Sequence, residues 1–112
     1  CIVWFARWND KKCDFTFNFY GNQKEMHNVF KYPICQGNER TENPTQKPRK
    51  LISHLLQIHS NKDDTILDPF AGSFTTAVAC KELHRNCIAI EINKQYYEIG
   101  KRRLDNTIEP ML

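Results

Sequence analysis

No stretch of the sequence approaches the eighteen or so consecutive apolar residues that a bilayer-crossing helix needs, and none reads as a signal peptide. No membrane partner is therefore expected. Internal repeats and low-complexity tracts are also absent. The five cysteines, at positions 1, 13, 35, 80 and 87, are odd in number and include no C-x-x-C pair. That argues against a disulfide framework and against a zinc ribbon, and leaves the reduced thiols of an intracellular protein as the plain reading. His27, His54, His59 and His84 are scattered, and the five-residue step from His54 to His59 does not put two ligands on one helix face. No metal site is expected, and no Ser-His-Asp or Cys-His arrangement stands out. A polar, frayed start is missing too. The chain opens with Cys1 directly into the strand-like "CIVWF", so we expect a piece cut from something longer.

What is present is ordinary for a globular domain: 112 residues, 40% hydrophobic and 26% charged, enough for one small core. The charge is uneven. Residues 1–50 carry nine Lys/Arg against five Asp/Glu, while residues 51–112 carry seven against eight. The front portion also holds nine of the thirteen aromatics, ending at Tyr32. Basic charge mixed with aromatics suits a nucleic-acid surface. A small aromatic sheet with a solvated charged face would give the same composition.

The front half reads as strands. "IVWFARW" (2–8) and "FTFNFYG" (15–21) are separated by a polar turn, and Phe15, Phe17 and Phe19 alternate with Thr16 and Asn18 at the period of a half-buried strand. The two make a candidate hairpin. "VFKYPI" (29–34) is a further short strand, and "CQGNERTENP" (35–44) a flexible polar boundary. The back half is clearer. Pro48 suits a first helical turn, and Leu51, Ile52, Leu55, Leu56 and His59 follow at helical spacing. "TILD" is a strand and residues 74–84 a helix. "NCIAIEI" (86–92) has the apolar continuity of a parallel strand buried on both faces. Asn93 caps a last helix with Tyr97, Gly100 and Leu104 on one side. The order predicts an α/β fold: a parallel βαβ unit with a leading helix, behind a small β-hairpin region, divided at 1–43 and 44–112.

Two groups would meet at the carboxyl ends of those strands, where open parallel sheets bind ligands. One is the turn Asp68–Ser73. The other is Glu91, nineteen residues past Gly72, the spacing of an acidic residue that takes ribose hydroxyls. A carboxylate accepts two hydroxyl hydrogen bonds, which suits a vicinal diol. The turn carries Asp68 and no Lys, so it is a poor phosphate cradle and better suits a cationic, phosphate-free nucleoside such as S-adenosylmethionine. A solvated acidic cap at a strand end is the bland alternative for Glu91.

"ENPTQKPRKLISHLLQIHS", followed by "DDTILDPFAGSFTTAVACKELHRNCIAIEINKQYYEIGKRRL", closely resembles the carboxyl-terminal half of beta-type (permuted) DNA amino-methyltransferases. "IVWFARWNDKKCDFTFNF" and "NVFKYP" are similar to the segment before it. The resemblance implies a partial Rossmann-like methyltransferase fold, S-adenosylmethionine as methyl donor and double-stranded DNA as substrate. It implies Asp68, Phe70, Ala71, Gly72 and Ser73 along the methionine half of the cofactor, Glu91 on the ribose and Ile92 against the adenine. Thr45, Gln46 and Lys47 would approach the methionine end; a solvated charge beside a helix start is the plainer reading of Lys47.

Three departures from the family matter. Its catalytic tetrapeptide, Pro-Pro-aromatic behind an acidic, Asn or Ser residue, occurs nowhere, so no catalytic residue is assigned and the chain is expected to be inactive alone. The family's usual Gly at position 74 is Phe. If that position demands φ > 0, Phe is costly; if it is already helical, the ring can turn into the core. The family's frequent His before Pro44 is Asn43. The leading function is the cofactor-binding portion of a site-specific DNA methyltransferase acting on an exocyclic base amine, adenine ahead of cytosine, and completed by a missing catalytic half or companion subunit. The alternative is an inactive remnant that binds DNA or a partner protein. A small-molecule methyltransferase or other nucleoside-binding enzyme ranks third. Apolar strand edges would favour self-association.

Overall fold

The computed structural model describes residues 7–8, 13–19, 26 and 29–111. Strands β1 (Arg7–Trp8) and β2 (Cys13–Asp14) pair antiparallel, with Trp8 opposite Cys13. The remaining elements are α1 (Arg49–His59), β3 (Thr65–Asp68), α2 (Thr75–Glu82), β4 (Asn86–Ala89) and α3 (Lys94–Asn106). β3 and β4 pair in parallel, with Thr65 opposite Asn86 and Asp68 opposite Ala89, and α2 makes the crossover. This is the expected βαβ unit with its leading helix.

Packing follows from the local patterns. Leu56 of α1 meets Ala79 and Cys80 of α2, with Ile52, Ile66, Leu83 and Cys87 packed around them. A second cluster joins Ala71, Phe74 and Ala77 to Cys87, Ala89 and Leu104. The small residues of α2 let it lie close to both strands. Within the first cluster a hydrogen bond from the Cys80 thiol to Cys87 raises the pKa of Cys80, with burial adding to it, and lowers that of Cys87. Cys35, Cys80 and Cys87 are free thiols. Asn93 caps α3, its side-chain oxygen accepting from the N–H groups of Gln95 (2.9 Å) and Tyr96 (3.2 Å).

Five expectations need correction. The front strands are short: Phe15–Phe19 forms no ladder, and the rest of the predicted first strand and residues 20–21 lie outside the described residues. The alternation is present but inverted, with Phe15, Phe17 and Phe19 outward and Asn18 inward. The reason is polar. The Asn18 amide donates to the carbonyls of Gln57 and Ser60 at 2.9 Å each, and its N–H donates to Ile58 O at 2.7 Å, meeting carbonyls that the end of α1 leaves unpaired. Residues 29–34 are irregular rather than a strand; there Tyr32 places its hydroxyl 2.6 Å from His54 Nδ1. β4 is covered on one face only. The described helices pack on the side of Ile66, Cys87 and Ala89, and Leu67, Ile88 and Ile90 stay exposed.

The loop 35–44 is tied down rather than flexible. It contains one 3₁₀ turn (Gly37–Glu39) and is bonded by Gln46, whose side-chain oxygen accepts from Thr41 N (2.8 Å) and Thr41 Oγ1 (2.7 Å) while Nε2 donates to Glu39 O (2.6 Å). Glu39 in turn accepts the first N–H of α1, from Arg49, at 2.6 Å. No helix among the described residues is long and apolar enough to cross a membrane, and no group of His, Cys, Asp and Glu among them has the arrangement of a metal site.

Candidate cofactor site

β3 ends at Asp68, and the chain reverses over the open end of the sheet. Asp68 Oδ1 accepts from Phe70 N–H at 3.1 Å, Ala71 N–H bonds Ile90 O at 2.9 Å, and Phe74 N–H bonds Ala71 O at 2.9 Å. Gly72 (φ 55°) and Phe74 (φ 62°) are both left-handed. For Phe this conformation costs about 1–2 kcal/mol. The ring is nonetheless 5% exposed, directed into the core against Gly100, with Tyr97 edge-on at 5.5 Å. A Cβ at Gly100 would lie 2.5 Å from Phe74 Cγ. Both alternatives for this position are thus partly right: φ is positive, and the ring still points away from the site.

Glu91 lies just past β4. Its Oε2 accepts from Gly72 N–H and its Oε1 from Asn93 N–H, each at 2.7 Å. The nineteen-residue spacing therefore closes a direct contact between turn and carboxylate. Beside it is a cavity of about 480 Å³. From the turn, Asp68, Phe70, Ala71, Gly72 and Ser73 line it; from the preceding loop, Thr45, Gln46 and Lys47; from the strand end, Glu91. Ile92 is not part of the lining and is fully exposed. Ser73 is 1% exposed, and its hydroxyl accepts from Arg103 at 3.1 Å. Gln46 is buried and braces the loop through both side-chain polar atoms, whereas Lys47 is exposed and donates to Thr45 O at 3.1 Å. A larger hollow of about 570 Å³, between Tyr32 and α1, is more open and contains the paired Arg49 and Glu82 (2.5 Å); it shares no residue with the turn.

The sequence did not place Asn43, Asn93 or Tyr96 at the site, yet all three also line the cavity. Asn43 is buried. Its Oδ1 accepts from Thr45 N–H (3.1 Å) and Thr45 Oγ1 (3.0 Å). The backbone donor fixes the amide orientation, so Nδ2 faces Gly72, where an added Cβ would lie 2.6 Å away. Nδ2 has no protein acceptor among the described residues. The N-P-T signal was legible as a side-chain-to-backbone turn, but not its direction into the cavity. Arg103 was missed as well. Its Nη1 donates to Ser73 O, to Ser73 Oγ and to Thr75 Oγ1 (3.3 Å), and burial lowers its pKa below the usual guanidinium range.

Comparison with known proteins agrees with this arrangement. A family model described as DNA methylase matches residues 6–102. The DNA adenine methyltransferase YhdJ of Escherichia coli (strain K12) is 43% identical over 88 residues, 77% of this chain and 30% of that protein. The Type II methyltransferase M2.LlaDCHI of Lactococcus lactis subsp. cremoris is 36% identical over 111 residues, 93% of this chain and 41% of that one. Among solved structures, an M1.HpyAVI–SAM complex superposes with a TM-score of 0.75 at 44% identity, covering 85% of this chain and 46% of that one. The chain thus spans less than half the length of each of these proteins. With the family model matched across most of its length, on a fold shared with a methyltransferase structure, the chain belongs to the DNA methylase family.

Proposed function

We propose that residues 44–112 are the S-adenosylmethionine-binding region of a site-specific DNA methyltransferase that methylates an exocyclic base amine, adenine ahead of cytosine. Residues 1–43 are then the tail of the catalytic, target-facing half, in the permuted beta-type order. The observation that carries the reading is the Glu91 carboxylate held 2.7 Å from Gly72 N–H at a cavity of about 480 Å³. The M1.HpyAVI–SAM likeness and the adenine specificity in the YhdJ name support it. Phe74 was the feature favouring an inactive remnant, and its ring lies outside the cavity, so no observation favours that alternative.

The residues present fit this cofactor. Each Glu91 oxygen accepts one backbone N–H, which leaves a lone pair on each for the two hydroxyls of a ribose. Asp68 supplies negative charge for a cationic ligand, and the Asn43 amide supplies a donor for its carboxylate. Exposed Ile92 offers an apolar plate for the adenine. S-adenosylmethionine, when bound, supplies an electrophilic methyl group on a sulfonium. The chain's own residues bind and orient it. The Pro-Pro-aromatic tetrapeptide is absent from the sequence, so these residues hold no flipped base and are inactive without a catalytic half or companion subunit acting on double-stranded DNA.

Calorimetric titration with S-adenosylmethionine tests the reading. Saturable binding is expected, weakened about tenfold or more in Glu91→Gln, which keeps the side chain's shape but loses charge and an acceptor oxygen. A folded chain that takes up no cofactor would overturn it.

A further inference from the structure

We propose that Arg103 is a positioning residue for the cofactor turn. From α3 its guanidinium grips the Ser73 carbonyl, the Ser73 hydroxyl and the Thr75 hydroxyl, and so fixes the conformation in which Gly72 presents its N–H to the site. The inference rests on the reading of the turn as a cofactor site.

The turn needs such a device. Ser73 stands between two left-handed residues, one of them a phenylalanine, and such a conformation persists only where its surroundings over-determine it. Glu91 holds the turn from the cavity side, through Gly72 N–H. On the other side, α3 engages it at three positions spaced by three residues along one helix face. Tyr97 meets the Phe74 ring edge-on, Gly100 leaves room for that ring, and Arg103 reaches past it to Ser73 and Thr75. All three contacts come from Nη1, at the end of a planar, rigid guanidinium that is more weakly hydrated than an ammonium and so is buried against neutral acceptors at less cost than lysine would be.

The other partners of Arg103 point the same way. Among the described residues no carboxylate lies within ion-pair distance of it, and Glu39 acts on it only at longer range. The Nη1 group of Arg103 is therefore spent on the turn, on neutral acceptors, at a desolvation cost. Replacing it removes hydrogen bonds to the turn while breaking no ion pair and relieving that cost. The effect should concentrate in the turn rather than spread through the fold.

The test measures cofactor affinity by calorimetry and amide hydrogen exchange without cofactor, in the full chain and in Arg103→Met, Arg103→Lys and Arg103→Ala. Arg103→Met should weaken S-adenosylmethionine binding about tenfold or more with little change in melting temperature. Its amides at 70–74 should exchange faster while those of β3 and α1 do not. Arg103→Lys should fall between, and should serve if the other variants fail to fold. Added methylguanidinium should restore part of the affinity of Arg103→Ala and leave the wild type unchanged, which a merely structural role would not produce. A folded Arg103→Met with wild-type affinity and unchanged exchange at the turn would overturn the proposal. Wild-type protein that binds no cofactor would instead overturn the cofactor reading, and exchange at 70–74 would still decide whether Arg103 holds the turn.

Discussion

Phe74 and Gly100 form a matched pair: the ring fills the space that a Cβ on Gly100 would occupy. Phe74→Gly relieves the left-handed backbone but empties a core position, where losing an aromatic ring costs about 3–5 kcal/mol. The net expectation is a loss of about 2 kcal/mol or more in urea unfolding. Gly100→Ala should destabilise by about 1–3 kcal/mol through overpacking. Combined with Phe74→Gly it should cost much less, because the clash is gone; strict additivity would show that the two positions are not coupled. Asn43 gives a second prediction. Asn43→Asp keeps the acceptor for Thr45 but replaces the free donor with charge. It should weaken S-adenosylmethionine binding about tenfold or more, and decarboxylated S-adenosylmethionine much less. Equal effects on both ligands would remove the carboxylate from Asn43's vicinity. Glu91 and the turn were legible at this scale because strand and turn chemistry are local. The roles of Asn43 and Arg103 were not, since each depends on a neighbour about thirty positions away in the chain.

The elements of the back half follow from local rules: helical spacing before and after the strands, Asn at a cap, small residues in the crossover helix. The front half misled because period two marks which residues share a face but not which face is buried. At 15–19 the inward face belongs to Asn18, since the carbonyl end of α1 needs donors more than it needs phenyl rings. Asn18→Ala is expected to cost about 1–3 kcal/mol in urea unfolding, the penalty for leaving such carbonyls unsatisfied. A change near zero would mean that water reaches the end of α1 freely.

Across the molecule, the sheet has one packed face and one exposed face carrying Leu67, Ile88 and Ile90. Sedimentation velocity should detect concentration-dependent self-association, reduced in Leu67→Lys/Ile88→Lys. A wild type that stays monomeric at high concentration would count against this. Local pattern alone specified α1, β3, α2, β4 and α3, and it placed Glu91 opposite the turn, because a crossover of that length returns the chain to the same end of a parallel pair. It also carried the family motifs. The covered face of β4, the inward residue at 15–19, the burial of a left-handed Phe74 against Gly100 and the grip of Arg103 on Ser73 were decided only by the tertiary structure. Each is a contact between residues distant in sequence, and which of several locally permitted arrangements wins depends on how the folded elements share space and hydrogen-bond partners.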